Sequence, residues 1–87
     1  MSVPSRKELA DTLSDLYTIH AEYEIVGLGG KPDKNWSVFY SAYILGKHGH
    51  FSTVLSLSNW LSELERDEEW EYRAAGYILM RLDDRSN

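Results

Sequence analysis

The 87-residue chain has no cysteine. Disulfides, thiolate catalysis and zinc sites built on cysteine are therefore excluded. It also has no apolar run approaching the ~18 residues that a membrane span requires. The opening MSVPSRKEL lacks the apolar stretch of a secretory signal. Cations are scarce: nine Lys and Arg stand against fourteen Asp and Glu, for a net charge of -5. Nucleic-acid binding needs a basic surface that releases counterions. The best basic clusters, Arg6–Lys7 and Lys31 with Lys34, are too small to supply one. Clean two-residue alternation is missing too, so strands are not expected. No G-x-S-x-G motif or arranged histidine marks a nucleophile. The expectation is a soluble cytoplasmic protein that binds neither membrane nor nucleic acid.

What remains is a composition of 43% hydrophobic, 13% aromatic and 26% charged residues, which is that of a folded globular chain. Aromatic rings bury a large apolar area per residue and help so short a chain build a core. One domain is expected over residues 1–87, with the ends 1–4 and the polar 83–87 fraying.

The periodicity predicts four helices. Ser5-Arg6-Lys7-Glu8 fits a capping box, and Leu9, Leu13, Leu16, His20 and Tyr23 follow on one stripe, giving a helix from Arg6 to about Ile25. Gly27-Leu28-Gly29-Gly30-Lys31-Pro32 ends it. This glycine-rich run follows a helix and lacks the G-K-[ST] of a phosphate loop, so it is a connector. Asp33, or Asn35, caps a second helix from about Lys34 to His48. Apolar groups cover most of its circumference, which predicts a central position. His48-Gly49-His50 fits a helix end rather than a metal tip, because histidine suits the dipole and glycine the left-handed cap. Ser52 caps a third helix with a narrow seam of Val54, Leu57, Leu61 and Leu64, and Asp67 a fourth with Trp70, Ala74, Tyr77, Ile78 and Arg81 on one face. The fold class is all-α: a small bundle of about four helices with antiparallel neighbours. Trp36, Tyr43, Ile44 and Leu45 match Trp70, Tyr77, Ile78 and Leu79 at a constant offset, but the segments before each Trp do not align. Similar core faces explain the match better than a structural repeat.

One polar cluster stands out. His20 and Glu24 are a helical turn apart, and His20 falls on an apolar stripe, where a buried imidazole needs partners. Glu24 is its nearest candidate partner; Asp33 and the hydroxyls of Tyr17, Tyr23, Tyr40 and Tyr43 are others if the first two helices pack antiparallel. The candidate ligand-binding pocket is thus His20, Tyr23, Glu24, Asp33, Trp36, Tyr40 and Tyr43. It is either a polar pocket with aromatic walls or a buried hydrogen-bond network that fixes how two helices dock, and the network is favoured. No metal ligand set, cofactor or catalytic residue is specified.

His20-Ala-Glu-Tyr23-Glu24 followed by Asp33-Lys-Asn35-Trp36-Ser-Val-Phe39-Tyr40-Ser-Ala-Tyr43 resembles a known pattern. It is similar to H-x-x-Y-E, a short turn, then D-x-N-W-P-x-W-Y-A-x-Y. That pattern occurs in uncharacterised small bacterial proteins and in helical tails of some glyoxalase/bleomycin-resistance-like proteins. The match covers roughly residues 20 to 46. Ser37 replaces the usual Pro, Phe39 the usual Trp and Ser41 the usual Ala. The resemblance implies a bacterial origin and implies that the seven candidate residues form a unit. It carries no activity, and the metal chemistry of the glyoxalase-like domain does not transfer.

The leading expectation is a small helical binding or interaction module, acting as a homodimer or on another protein, with Trp60 or the Leu57–Leu61–Leu64 seam as the contact. One alternative is a small-molecule or metal pocket, enzymatic or not, on His20, Glu24, Asp33 and Tyr40. The other is an acidic accessory or antitoxin-like partner protein presenting ELERDEEWE to a basic surface.

Overall fold

The first helix is set by its cap. Ser5 Oγ accepts the Glu8 N–H at 3.1 Å and Glu8 Oε1 accepts the Ser5 N–H at 2.9 Å, closing the capping box. From there α1 runs Arg6–Val26 and buries Leu9, Leu13, Leu16 and His20 along one stripe. A computed structural model describes residues 3–67 and 69–86, the last three by backbone alone. It places α2 at Trp36–His48, α3 at Val54–Ser62 and α4 at Trp70–Ser86, with no strand among the described residues.

Cross-links fix the arrangement. Along α1 and α2, Thr12 meets His48, Asp15 meets Lys47 and His20 meets Phe39, so the two run antiparallel. Ser37 at the start of α2 meets Ser58 and Ser62 late in α3. Tyr77 in α4 donates to Glu63 just after α3, and Arg81 lies over Trp60. Arg6 Nε donates to the Tyr72 carbonyl at 3.0 Å, joining the start of α1 to the early turns of α4. The closest packed pairs are α1 with α4 and α2 with α3. The bundle is therefore two layers, face to face across a core of Leu13, Leu16, Tyr40, Ile44, Leu61 and Ile78 and their neighbours.

The layers differ in chemistry. From Asn35 to Ser62 the only formally charged side chain is Lys47; the other eight cations and all fourteen acids lie elsewhere. Serines pull α2 and α3 together. Ser37 Oγ lies 2.8 Å from Ser58 Oγ, and Ser62 Oγ lies 3.1 Å from Ser37 Oγ and 2.8 Å from the Ser58 carbonyl. Small hydroxyls let the backbones approach, and those of Ser37 and Ser58 satisfy each other out of water, with Ser62 at the exposed rim.

Several expectations are corrected. Helix α2 is not central: Val38, Ala42 and Gly46 line an exposed outer face, because a four-helix chain has nothing left to cover it. Thr53, not Ser52, caps α3, its side chain accepting the Ser56 N–H. Asp33 does not cap α2, because its carboxylate is engaged elsewhere, and the helix opens at Asn35. Helix α4 begins at Trp70, three residues after the expected cap Asp67. Glu68, the residue after that cap, lies outside the described residues. Helix α4 runs through Ser86 and Leu82 packs on the core, while Met1, Ser2 and Asn87 of the ends expected to fray lie outside the described residues. Leu57, Trp60 and Leu61 are buried in the protein's own core and present no seam to a partner. Trp36 and Trp70, the matched pair, each open a helix and meet edge to face at 6.0 Å.

Candidate functional site

His20 comes to its position by continuing the leucine stripe of α1, and it is 4% exposed. Two turns later the chain reverses through Gly29 and Gly30, whose φ of 63° and 86° suit residues without a Cβ. The Gly30 N–H returns to the Glu24 carbonyl at 2.8 Å. Oε2 of Glu24 accepts the Asp33 N–H at 2.7 Å, which turns the Asp33 carboxylate inward. Its Oδ2 lies 2.8 Å from His20 Nε2, while Oδ1 accepts the Asn35 N–H at 2.9 Å. A carboxylate only accepts, so His20 Nε2 carries the hydrogen. Nδ1 faces Glu24 Oε1 at 3.8 Å, beyond hydrogen-bond distance. Glu24 therefore is not the direct partner of His20; it holds Asp33, and Asp33 holds the imidazole. The bond from His20 keeps the Asp33 carboxyl below its ordinary value.

Rings close over this clasp. Phe39 and Tyr40 meet the imidazole edge-on at 5.0 and 5.4 Å, and Tyr23 lies tilted at 6.0 Å and stacks on Phe39. Among the described residues no buried side-chain nitrogen or oxygen lacks a partner. Nor do three His, Asp or Glu side chains converge there as a metal site would require. The arrangement resembles a base with its orienting acid, but the ring is only 4% exposed. What the geometry does is dock the turn between α1 and α2 onto both helices.

The candidate residues thus divide. His20, Glu24 and Asp33 are joined by hydrogen bonds, and Tyr23 and Tyr40 by ring contacts. Trp36 touches Tyr40 at 5.4 Å rather than the histidine. Tyr43 packs on the core farther along α2, apart from the clasp. Two participants were not anticipated. Phe39 lies directly on His20, and its place in the run of rings from Trp36 to Tyr43 was the signal for it. Arg66 stacks its guanidinium 4.0 Å over Trp36 from a segment thirty positions on, with no local signal. Burial raises the Tyr40 hydroxyl above its ordinary value, with Arg66 pulling the other way. His48 does more than suit a helix end. The Thr12 hydroxyl donates to the Glu8 carbonyl at 2.9 Å, so the 2.7 Å contact with His48 uses the His48 Nε2–H as donor.

Beyond Tyr40 the surface opens into a groove of about 570 Å³, lined by Tyr17, Tyr40, Arg66, Asp67, Trp70 and Glu71. A depression of about 560 Å³ lies beside Arg6 and Tyr72, and one of about 320 Å³ beside Gly30 and Pro32. Compared with family models, curated proteins and solved structures, the chain matches none.

Proposed function

We propose that this protein is a small helical interaction module that pairs with a second copy of itself through the uncharged outer face of α2 and α3. One observation carries the reading: Val38, Ala42, Gly46, Leu55 and Asn59 are exposed on two adjacent helices, without a formal charge among them. A surface helix ordinarily sets charged residues against water. Two chains of net charge -5 repel through their acidic parts, and this face lets them meet without opposing like charges. Covering Val38, 46% exposed, and Leu55, 73% exposed, removes apolar surface from water. Beside Gly46 there is open space, so a partner helix can approach closely.

Among the described residues no helix is long and apolar enough to cross a membrane. A cytoplasmic place and a bacterial origin belong to the same proposal. A ligand or metal pocket at His20 is disfavoured by the burial of the imidazole under Phe39 and Tyr40. Sedimentation at micromolar concentration should give a species of twice the 10.0 kDa chain mass. Val38→Glu and Leu55→Glu, at exposed positions, should give a folded monomer. A single 10.0 kDa species of the unaltered chain at every concentration would sink the reading.

A further inference from the structure

We propose that the groove between α1 and the start of α4 binds a small zwitterion with an aromatic side chain, the chemistry of a free aromatic amino acid. Its volume of about 570 Å³ lies within the range of ligand sites. Tyr40, 2% exposed and otherwise a core residue, borders it, as does Trp70 at 4%. Tyr17 stands opposite at 70% exposure, an aromatic ring left in water on the wall of a groove. Two side chains of opposite charge, Arg66 and Glu71, line the groove beside Tyr40. Arg66 is held by its stack on Trp36 and interacts with the Tyr40 hydroxyl, and a guanidinium with five N–H donors has others to offer a ligand. Asp67 is engaged by Arg73 at 3.2 Å, whereas among the described residues neither Arg66 nor Glu71 has an ion-pair partner.

The groove thus offers one fixed cation, one available carboxylate and aromatic walls. A ligand carboxylate pairs with Arg66, its ammonium with Glu71, and its ring lies between Tyr17 and Trp70. A simple anion would meet Glu71 unpaired, and a simple cation would meet Arg66. Both charges on one small molecule resolve the conflict. The proposal stands independently of self-association, because none of these residues lies on the exposed α2/α3 face.

The test is titration of the full chain with L-phenylalanine, 3-phenylpropionate and phenethylamine, followed by NMR shifts of the Trp70 indole and Arg66 side-chain N–H. Phenylalanine should saturate, at least about tenfold tighter than either half-ligand, the worth of one charge-assisted hydrogen bond. Arg66→Gln should reduce phenylalanine to the level of phenethylamine, and Glu71→Gln to that of 3-phenylpropionate. Tyr17→Ala, at a position carrying little of the fold, should weaken all three and serves if Arg66→Gln fails to fold. Absence of saturation, or a half-ligand binding as tightly as phenylalanine, overturns the proposal.

Discussion

Helices α1 and α4 present acids and arginines to water and meet over a regular apolar stripe, while α2 and α3 carry one lysine between them and are drawn together by serine hydroxyls. The first layer sets its charges on the wet face, where Tyr17, Ile25, Val26, Tyr72 and Met80 are also exposed. The second reverses part of it. Its polar groups, Ser37, Ser41, Ser58 and Ser62, are used inward, and Val38, Ala42 and Leu55 are left outward. A helix apolar around most of its circumference is read as central when it has neighbours enough to cover it. With four helices the cover runs out, and the surplus face becomes the most informative surface on the molecule.

The comparison can be broken hardest where the layers join. Trp70 is the side chain of the charged layer that touches Trp36 and Tyr40 of the neutral one, at 6.0 and 5.9 Å. Trp70→Ala should cost about 3–5 kcal/mol in urea unfolding, the range for a large aromatic removed from a core. Next comes the clasp at the turn. Asp33→Asn should cost about 1.5–3 kcal/mol at neutral pH, because a charged hydrogen bond to His20 is lost. The pH dependence follows from the lowered carboxyl. Asp33 binds its proton less readily folded than unfolded, so its contribution is complete above the ordinary aspartate range, about 4, and fades as pH falls through the lower folded value. Unfolding curves of the two proteins should therefore converge in acid; a gap that stays constant down to full protonation would refute the role given to this pair.

Within the neutral layer the effect is smaller. Ser58→Ala should cost about 1 kcal/mol by thermal unfolding, since Ser37 keeps its contact with Ser62. Smallest of all is the outer face of the charged layer. Lys7 pairs with Asp11 at 2.9 Å, yet their side chains are 84% and 64% exposed. Lys7→Ala should leave the melting midpoint unchanged within error, at low salt or high. Loss of stability there comparable to that of Ser58→Ala would mean the charged layer depends on its surface ion pairs.

Much of this was legible from the residues. Ser5 and Glu8 announce a helix start by their spacing alone, and both hydrogen bonds form. Leu9, Leu13 and Leu16 announce a buried face, and His20 on the same face announces a buried polar group needing partners. The grouping of His20, Glu24 and Asp33 was readable because a short turn leaves few ways to place them. Which carboxylate reaches the ring was not: Glu24 is nearer in sequence, but its reach is taken up by the loop amide that positions Asp33. Ser52 and Thr53 both offer a hydroxyl, and only the backbone, extended at Thr53 with φ -106° and ψ 157°, decides the cap. Arg66 was invisible for a different reason. It sits in an acidic linker that reads as solvated, and its stack on Trp36 exists only once four helices are assembled.

The hydrogen bond from Arg6 to the Tyr72 carbonyl spans 66 positions in the chain. The contact between Ser37 and Ser58 spans 21. Loop closure grows more unfavourable with the length enclosed, and local contacts form sooner than distant ones. The clasp of α1 on its turn, His20 to Asp33, and the contact of α4 with the end of α3, Tyr77 to Glu63, enclose shorter segments still, 13 and 14 positions. Each helix thus meets its chain neighbour across a short loop, and the closure of α1 on α4 at Arg6 is the one that encloses nearly the whole chain.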